Sequence, residues 1–167
     1  MSDSSSQPVS VSRTIAAPAS AIFAVLARPA SHPDIDGSGM LLESSDDVIG
    51  GTGDIFTMKM HNGEMGSYVI DNHVVEYEPG RRIGWEPVLA AASRPEDQGD
   101  IGVRSEIRWS YELTPLGPDS TLVRETYDCS RAPAWLQKAV KGGSRWIGSM
   151  TTTLEKLDAL ACAGAPG

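Results

Sequence analysis

Apolar residues recur at helical spacing near both ends of the chain and at every second position through its middle. Residues Pro8–Ile15 alternate, with Val9, Val11, Arg13 and Ile15 on one side, and predict a strand. Pro18 suits a helix start, where its missing N–H costs nothing. Ile22, Phe23, Val25 and Leu26 then follow at helical spacing over Ala19–Arg28, until Pro29 stops the run. Residues 30–39, with His32, Pro33, Asp34, Asp36, Gly37 and Gly39, read as a short helix or turn and then a loop. From Met40 to Cys129 the period is two, and six strands are predicted: Met40–Ser44, Asp54–Met60, Ser67–Tyr77, Arg81–Leu89, Val103–Leu113 and Thr121–Cys129. Gly50 to Gly53, Asn62-Gly63, Pro79-Gly80 and Gly117-Pro118-Asp119 supply turn chemistry between them, and Ala90–Gly102 is a longer polar excursion. After Pro133, the residues Trp146, Ile147, Met150, Leu154 and Leu157 make an apolar stripe. One helix over Ala134–Ala161 would span roughly 40 Å, with Gly142-Gly143 placed to bend it.

The order strand, two short helices, six strands, long helix predicts an α+β fold. A seven-stranded curved antiparallel sheet would wrap the long C-terminal helix, with the two short helices after the first strand. A sheet cupped around a helix leaves room for a hollow. Alternation places Phe56, Met58 and Met60 on its inner side from one strand. A two-residue turn at Pro79-Gly80 would put Val74 and Glu76 on the same face as Ile83 and Trp85. Ile107, Trp109, Tyr111 and Leu113 follow from the next strand, then Val123, Glu125 and Tyr127. The helix adds Trp146, Ile147 and Met150. Each side chain can be read as core packing. Together, Trp, Tyr and Met with a few polar groups are the usual make-up of a small-molecule site.

Length fixes the scale: 167 residues is one domain, large enough to bury a core without metal or disulfide staples. The domain is expected over residues 8–162, with tails at 1–7 and 163–167. The net charge of −8 repels a polyphosphate backbone and argues against nucleic acid and against anionic lipid. The Ser-rich start lacks a basic and an apolar segment, and no apolar run approaches a membrane span. A cytoplasmic protein without membrane insertion is expected, its oligomeric state left open. Cys129 and Cys162 stand far apart outside any ligand cluster, so two reduced thiols are expected.

Glu76 and Glu125 are the candidate acid–base groups, with Tyr127 beside them. A carboxylate on an apolar face is desolvated and its pKa rises, unless it pairs with Arg104, Arg108 or Arg124. His32, Asp34 and Asp36 form a polar cluster; a dyad or a turn held by the acids would explain it. A calcium loop starting at Asp34 fails at its twelfth position, where Ser45 stands. His32, His61 and His73 lack ligand spacing, so no metal is expected. The glycines at 50, 51 and 53 lack a following Lys-Ser/Thr and helix, so they read as a turn rather than a phosphate cradle, and no cofactor is expected. Arg131, Lys138, Lys141 and Arg145 lie in a stretch free of acids. They form either a solvated face or a field for an anionic head group.

Three segments carry a family resemblance. Residues 11–26 (VSRTIAAPASAIFAVL), 73–85 (HVVEYEPGRRIGW) and 121–128 (TLVRETYD) resemble the opening, the central hairpin and the last strand of the START/Bet v 1-like (SRPBCC) superfamily, in its polyketide cyclase/dehydrase branch. The likeness covers about residues 9–161. It implies a helix-grip fold and a hydrophobic cavity for lipids, polyketides, sterols or similar aromatic molecules, with Gly50 to Gly53 near its mouth. It does not imply a reaction or a catalytic residue. Three functions follow as expectations: binding of a small hydrophobic ligand; a polyketide cyclase or dehydratase using pocket carboxylate and Tyr chemistry; and a co-chaperone-type interaction module.

Overall fold

The computed structural model describes residues 7–63, 66–104 and 106–163. Most of both expected tails (1–6 and 164–167) and parts of the 62–65 turn and the 103–113 strand lie outside these residues. The elements are β1 (Val9–Ile15), α1 (Ala19–Leu26), α2 (His32–Ile35), β2 (Leu41–Ser44), β3 (Ile55–Asn62), β4 (Gly66–Glu78), β5 (Arg82–Ala92), β6 (Arg108–Gly117), β7 (Ser120–Asp128), α3 (Ala134–Ala139) and α4 (Ile147–Ala163). The seven strands form one antiparallel sheet in the order β1-β7-β6-β5-β4-β3-β2. The chain crosses from β1 to β2 through α1 and α2, and every later neighbour is a hairpin. The expected helix-grip architecture is therefore present.

Three local departures have physical causes. Asn62 pairs with Gly66, so it ends β3 instead of occupying a turn centre. The strand expected from Val103 starts at Arg108, because Glu106 takes a left-handed φ of 60° and only Arg104 bridges back to Val88. It runs past Leu113 to Gly117, with a register shift at Pro115, where the ladder loses a donor. The C-terminal helix is not one rod. Lys141, Gly142 and Gly143 take φ of 53°, 67° and 100°, and this left-handed run separates α3 from α4. The unbroken helix α4 has 17 residues, about 25 Å.

The core has two parts. The larger one packs Ile22, Phe23 and Leu26 of α1 and Leu154 and Leu157 of α4 onto β4–β7. Each such side chain contributes roughly 1.5–3 kcal/mol by leaving water. The smaller one gathers Tyr127, Cys129, Ala132, Val140 and Met150 beneath the α3–α4 break. Helix α4 lies hard against α2: a Cβ on Gly37 would collide with the Ser149 carbonyl. The Gly37 N–H donates to the Thr153 hydroxyl at 2.9 Å.

Candidate functional site

The inner wall forms largely where alternation put it. Phe56, Met58, Val74, Trp85 and Tyr111 belong to the larger core, and Ile107, Tyr127, Trp146 and Met150 to the smaller; Trp109 touches both. Ile147 departs from expectation. It is 41% exposed, because the break at Gly143 turns the start of α4 so that Met150, not Ile147, faces inward. Met60 is half-buried and packs in neither core.

The wall is closed by ring contacts. Trp85 stacks on His32 at 5.2 Å, meets Phe56 edge-on at 5.1 Å and lies 5.9 Å from Tyr111. Tyr127 meets Trp109 at 4.6 Å, and Trp146 caps both. Two concavities of about 160 and 150 Å³ open on the outer face of the sheet, among ion pairs. So the described inner side chains pack against one another where a hollow was expected. The cause is ring stacking, which brings six aromatic rings and His32 across the inner face.

The two candidate carboxylates part company. Tyr77 pairs with Ile83 and Val74 with Trp85, but Val75 has no partner between them. The loop after β4 also holds three residues, Pro79, Gly80 and Arg81, rather than two. This bulge turns Glu76 to the outer face, opposite Gly84, and brings Tyr77 inward against Phe23. Glu76 lies 3.7 Å from Arg82 and 3.5 Å from Arg108. It does not join Trp85 and Ile83 inside, which removes it as a candidate.

Glu125 stays inside. It is 3% exposed and forms no ion pair with Arg104, Arg108 or Arg124. The Tyr111 hydroxyl donates to its Oε2 at 3.1 Å, and its Oε1 has no hydrogen-bond partner. Burial raises its pKa from 4.5 to about 8, against a lowering by the Tyr111 hydrogen bond, and the Asp36 charge raises it further. At neutral pH this carboxyl is mostly protonated. Burial also holds Tyr111 well above the ordinary phenol range and Tyr127 up to about 12, so both remain donors.

The structure adds one inner residue, Asn72, to those expected. Asn72 is buried on the inner side of β4, and its Nδ2 has no partner. Its signal was parity: it shares the even positions of Tyr68, Ile70 and Val74. The buried Trp146 Nε1 faces the Tyr127 hydroxyl, and its hydrogen bond lowers the Tyr127 pKa against the larger effect of burial. His32 forms no dyad with the nearby acids. Its Nε2 lies 2.8 Å from the Leu26 carbonyl, and burial lowers its pKa to about 4, so it is neutral. The Asp36 carboxylate accepts from Ser38 and from the Leu41 N–H, holding the turn after α2. Gly50 to Gly53 form a turn whose Gly50 N–H donates to Asp54. Both cysteines are free thiols. Among the described residues no three His, Cys, Asp or Glu side chains gather as a metal site.

Comparison with known proteins agrees with this architecture. A family model described as polyketide cyclase/dehydrase and lipid transport matches residues 6–161. An uncharacterised protein of Mycobacterium tuberculosis is 30% identical over 129 residues, 75% of this chain. The chain spans about half (49%) of that curated relative. A Mesorhizobium loti protein of solved structure superposes with a TM-score of 0.64 at 21% identity, covering 96% of this chain and 100% of its own. Norcoclaurine synthase from Thalictrum flavum, solved with a transition-state analogue, superposes at 0.65 with 18% identity and 98% of both chains covered.

Proposed function

This chain belongs to the polyketide cyclase/dehydrase and lipid transport family, and on that premise we propose that it binds a small, largely apolar molecule between sheet and C-terminal helix. One observation carries the reading: Glu125 is a buried, neutral carboxyl on an aromatic wall, with one oxygen unsatisfied and no cation beside it. An unpaired buried polar group costs about 1–3 kcal/mol. A guest bearing oxygen atoms would relieve that cost at Glu125, and at the orphan donor of Asn72. Room for it comes from moving side chains of the smaller core, which rests under the left-handed break rather than under a continuous helix.

Native mass spectrometry of the purified protein, followed by titration with a long-chain fatty acid and a polyphenol, tests this. Retained ligand or saturable binding is expected. No retained mass and no binding tighter than ~1 mM would sink the reading.

A second reading, cyclisation or dehydration of a polyketide-like substrate, is favoured by the same carboxyl. A neutral Glu125 can give its proton to a carbonyl oxygen, and its carboxylate can then take a proton from the adjacent carbon. The Tyr111 hydroxyl would steady the anionic form through its bond to Oε2. Under this reading Glu125→Gln abolishes turnover but leaves ligand affinity within a few fold. Equal turnover in the variant would eliminate it.

A further inference from the structure

We propose that the outer side of the α3–α4 junction docks onto an anionic phospholipid surface. The inference goes beyond ligand binding and stands whether or not the interior takes a guest. Its starting point is Trp135, 68% exposed on α3. The other three tryptophans, Trp85, Trp109 and Trp146, are buried or half-buried in ring clusters. An indole left in water needs an explanation that core packing does not give.

The surroundings supply one. Between Asp128 and Glu155 the chain carries no acidic residue, while Arg131, Lys138, Lys141 and Arg145 lie there. All 22 acids fall outside this stretch. The segment has a buried and an exposed side: Ala132, Val140 and Met150 belong to the smaller core and Gly143 abuts the Tyr127 ring, while Trp135, Lys138, Lys141, Arg145 and Ile147 are exposed. Lys138 is three residues beyond Trp135, so the two share a helix face. Arg131 is partly engaged by Glu106 at 3.4 Å, which leaves the other three as the main positive field.

The occupant follows from size and charge. The exposed apolar residues here are chiefly Trp135 and Ile147, and the rest of the outer side is Pro133, alanine, serine and cations. That is too little for the desolvated centre of a stable protein interface. It fits a bilayer surface, where an indole rests among head groups and lysines meet lipid phosphates. The positive field sits on a protein of net charge −8, so the rest of the surface is repelled and the contact is orientated. No helix among the described residues is long and apolar enough to cross a membrane, so the contact is peripheral.

The test is co-sedimentation of the full chain with vesicles of equimolar phosphatidylglycerol and phosphatidylcholine, against phosphatidylcholine alone. Binding to the anionic vesicles only, weakened by salt, is expected, with a blue shift of tryptophan emission. Trp135→Ala should remove the blue shift, because the remaining indoles are already shielded. Each cation is worth about fivefold in partitioning, so Lys138→Glu, Lys141→Glu and Arg145→Glu together should weaken binding at least a hundredfold. Circular dichroism checks that the variants fold. Absence of wild-type binding at low salt overturns the proposal, and so does binding that survives both sets of substitutions. Capture of polyglutamate without capture of vesicles overturns it in favour of an acidic protein partner.

Discussion

Replacing Glu125 by Gln should make the protein more stable above neutral pH and leave it nearly unchanged in acid. The folded protein keeps the Glu125 proton up to pH about 8, whereas the unfolded chain releases it near 4.5. Between those values the folded state binds more protons, so stability falls as pH rises. The difference of about 3.5 in pKa, at 1.36 kcal/mol each, sets a ceiling of about 5 kcal/mol. Water entering on ionisation reduces this, so a gain of about 2–5 kcal/mol at pH 8 is expected for Glu125→Gln. The amide oxygen still accepts from Tyr111, so the substitution removes little else. His32 works in the opposite sense: its pKa is lowered from 6.5 to about 4, so its contribution is complete above 6.5 and lost as pH falls towards 4. The two slopes nearly cancel from about pH 4.5 to 6.5, and Glu125 acts alone from there to 8. Urea unfolding of wild type and variant across pH 4 to 9 reads the difference directly. Parallel stability curves would refute a neutral buried Glu125 and, with it, the acid–base reading.

Other substitutions probe separate parts. His32→Asn should flatten the low-pH arm of the wild-type curve; urea midpoints between pH 4 and 6.5 would show whether it does. Gly143→Ala puts a Cβ 2.8 Å from the Tyr127 ring at a φ of 100°, and should cost about 2–4 kcal/mol by thermal unfolding. Gly117→Ala, with open space around its Cβ, should cost far less and serves as the control. Glu76→Gln should change stability by less than about 1 kcal/mol and leave ligand binding intact, because its ion pairs lie on the outer face with half-exposed arginines.

Period-two alternation made most of the fold legible. It needs only that one sheet face be buried, and that holds from β3 to β7. It located Phe56, Trp85, Tyr111, Glu125 and Tyr127 on the inner face without coordinates. It failed wherever the backbone left regular geometry. The left-handed Glu106 delayed β6, and the Lys141–Gly143 run turned Ile147 outward. Neither leaves a trace in alternation, though the paired glycines at 142 and 143 marked the second. The ring packing among the described inner residues was illegible for another reason. Rings that would line a hollow and rings that fill it obey the same pattern, and only their mutual angles separate the two cases.

The unpaired Val75 makes the chemistry of the interior a matter of odd and even counting. Between that residue and the turn at Gly80, one lost amino acid that let Val75 pair with Gly84 would exchange Tyr77 for Glu76 on the concave side. Loss of one residue between Tyr77 and Gly80 could thus install a second acid beneath the helix while expelling a phenol, with no substitution at any other position. Relatives that share this scaffold can therefore differ in inner acidity through strand length alone, a kind of variation that substitution counts do not register.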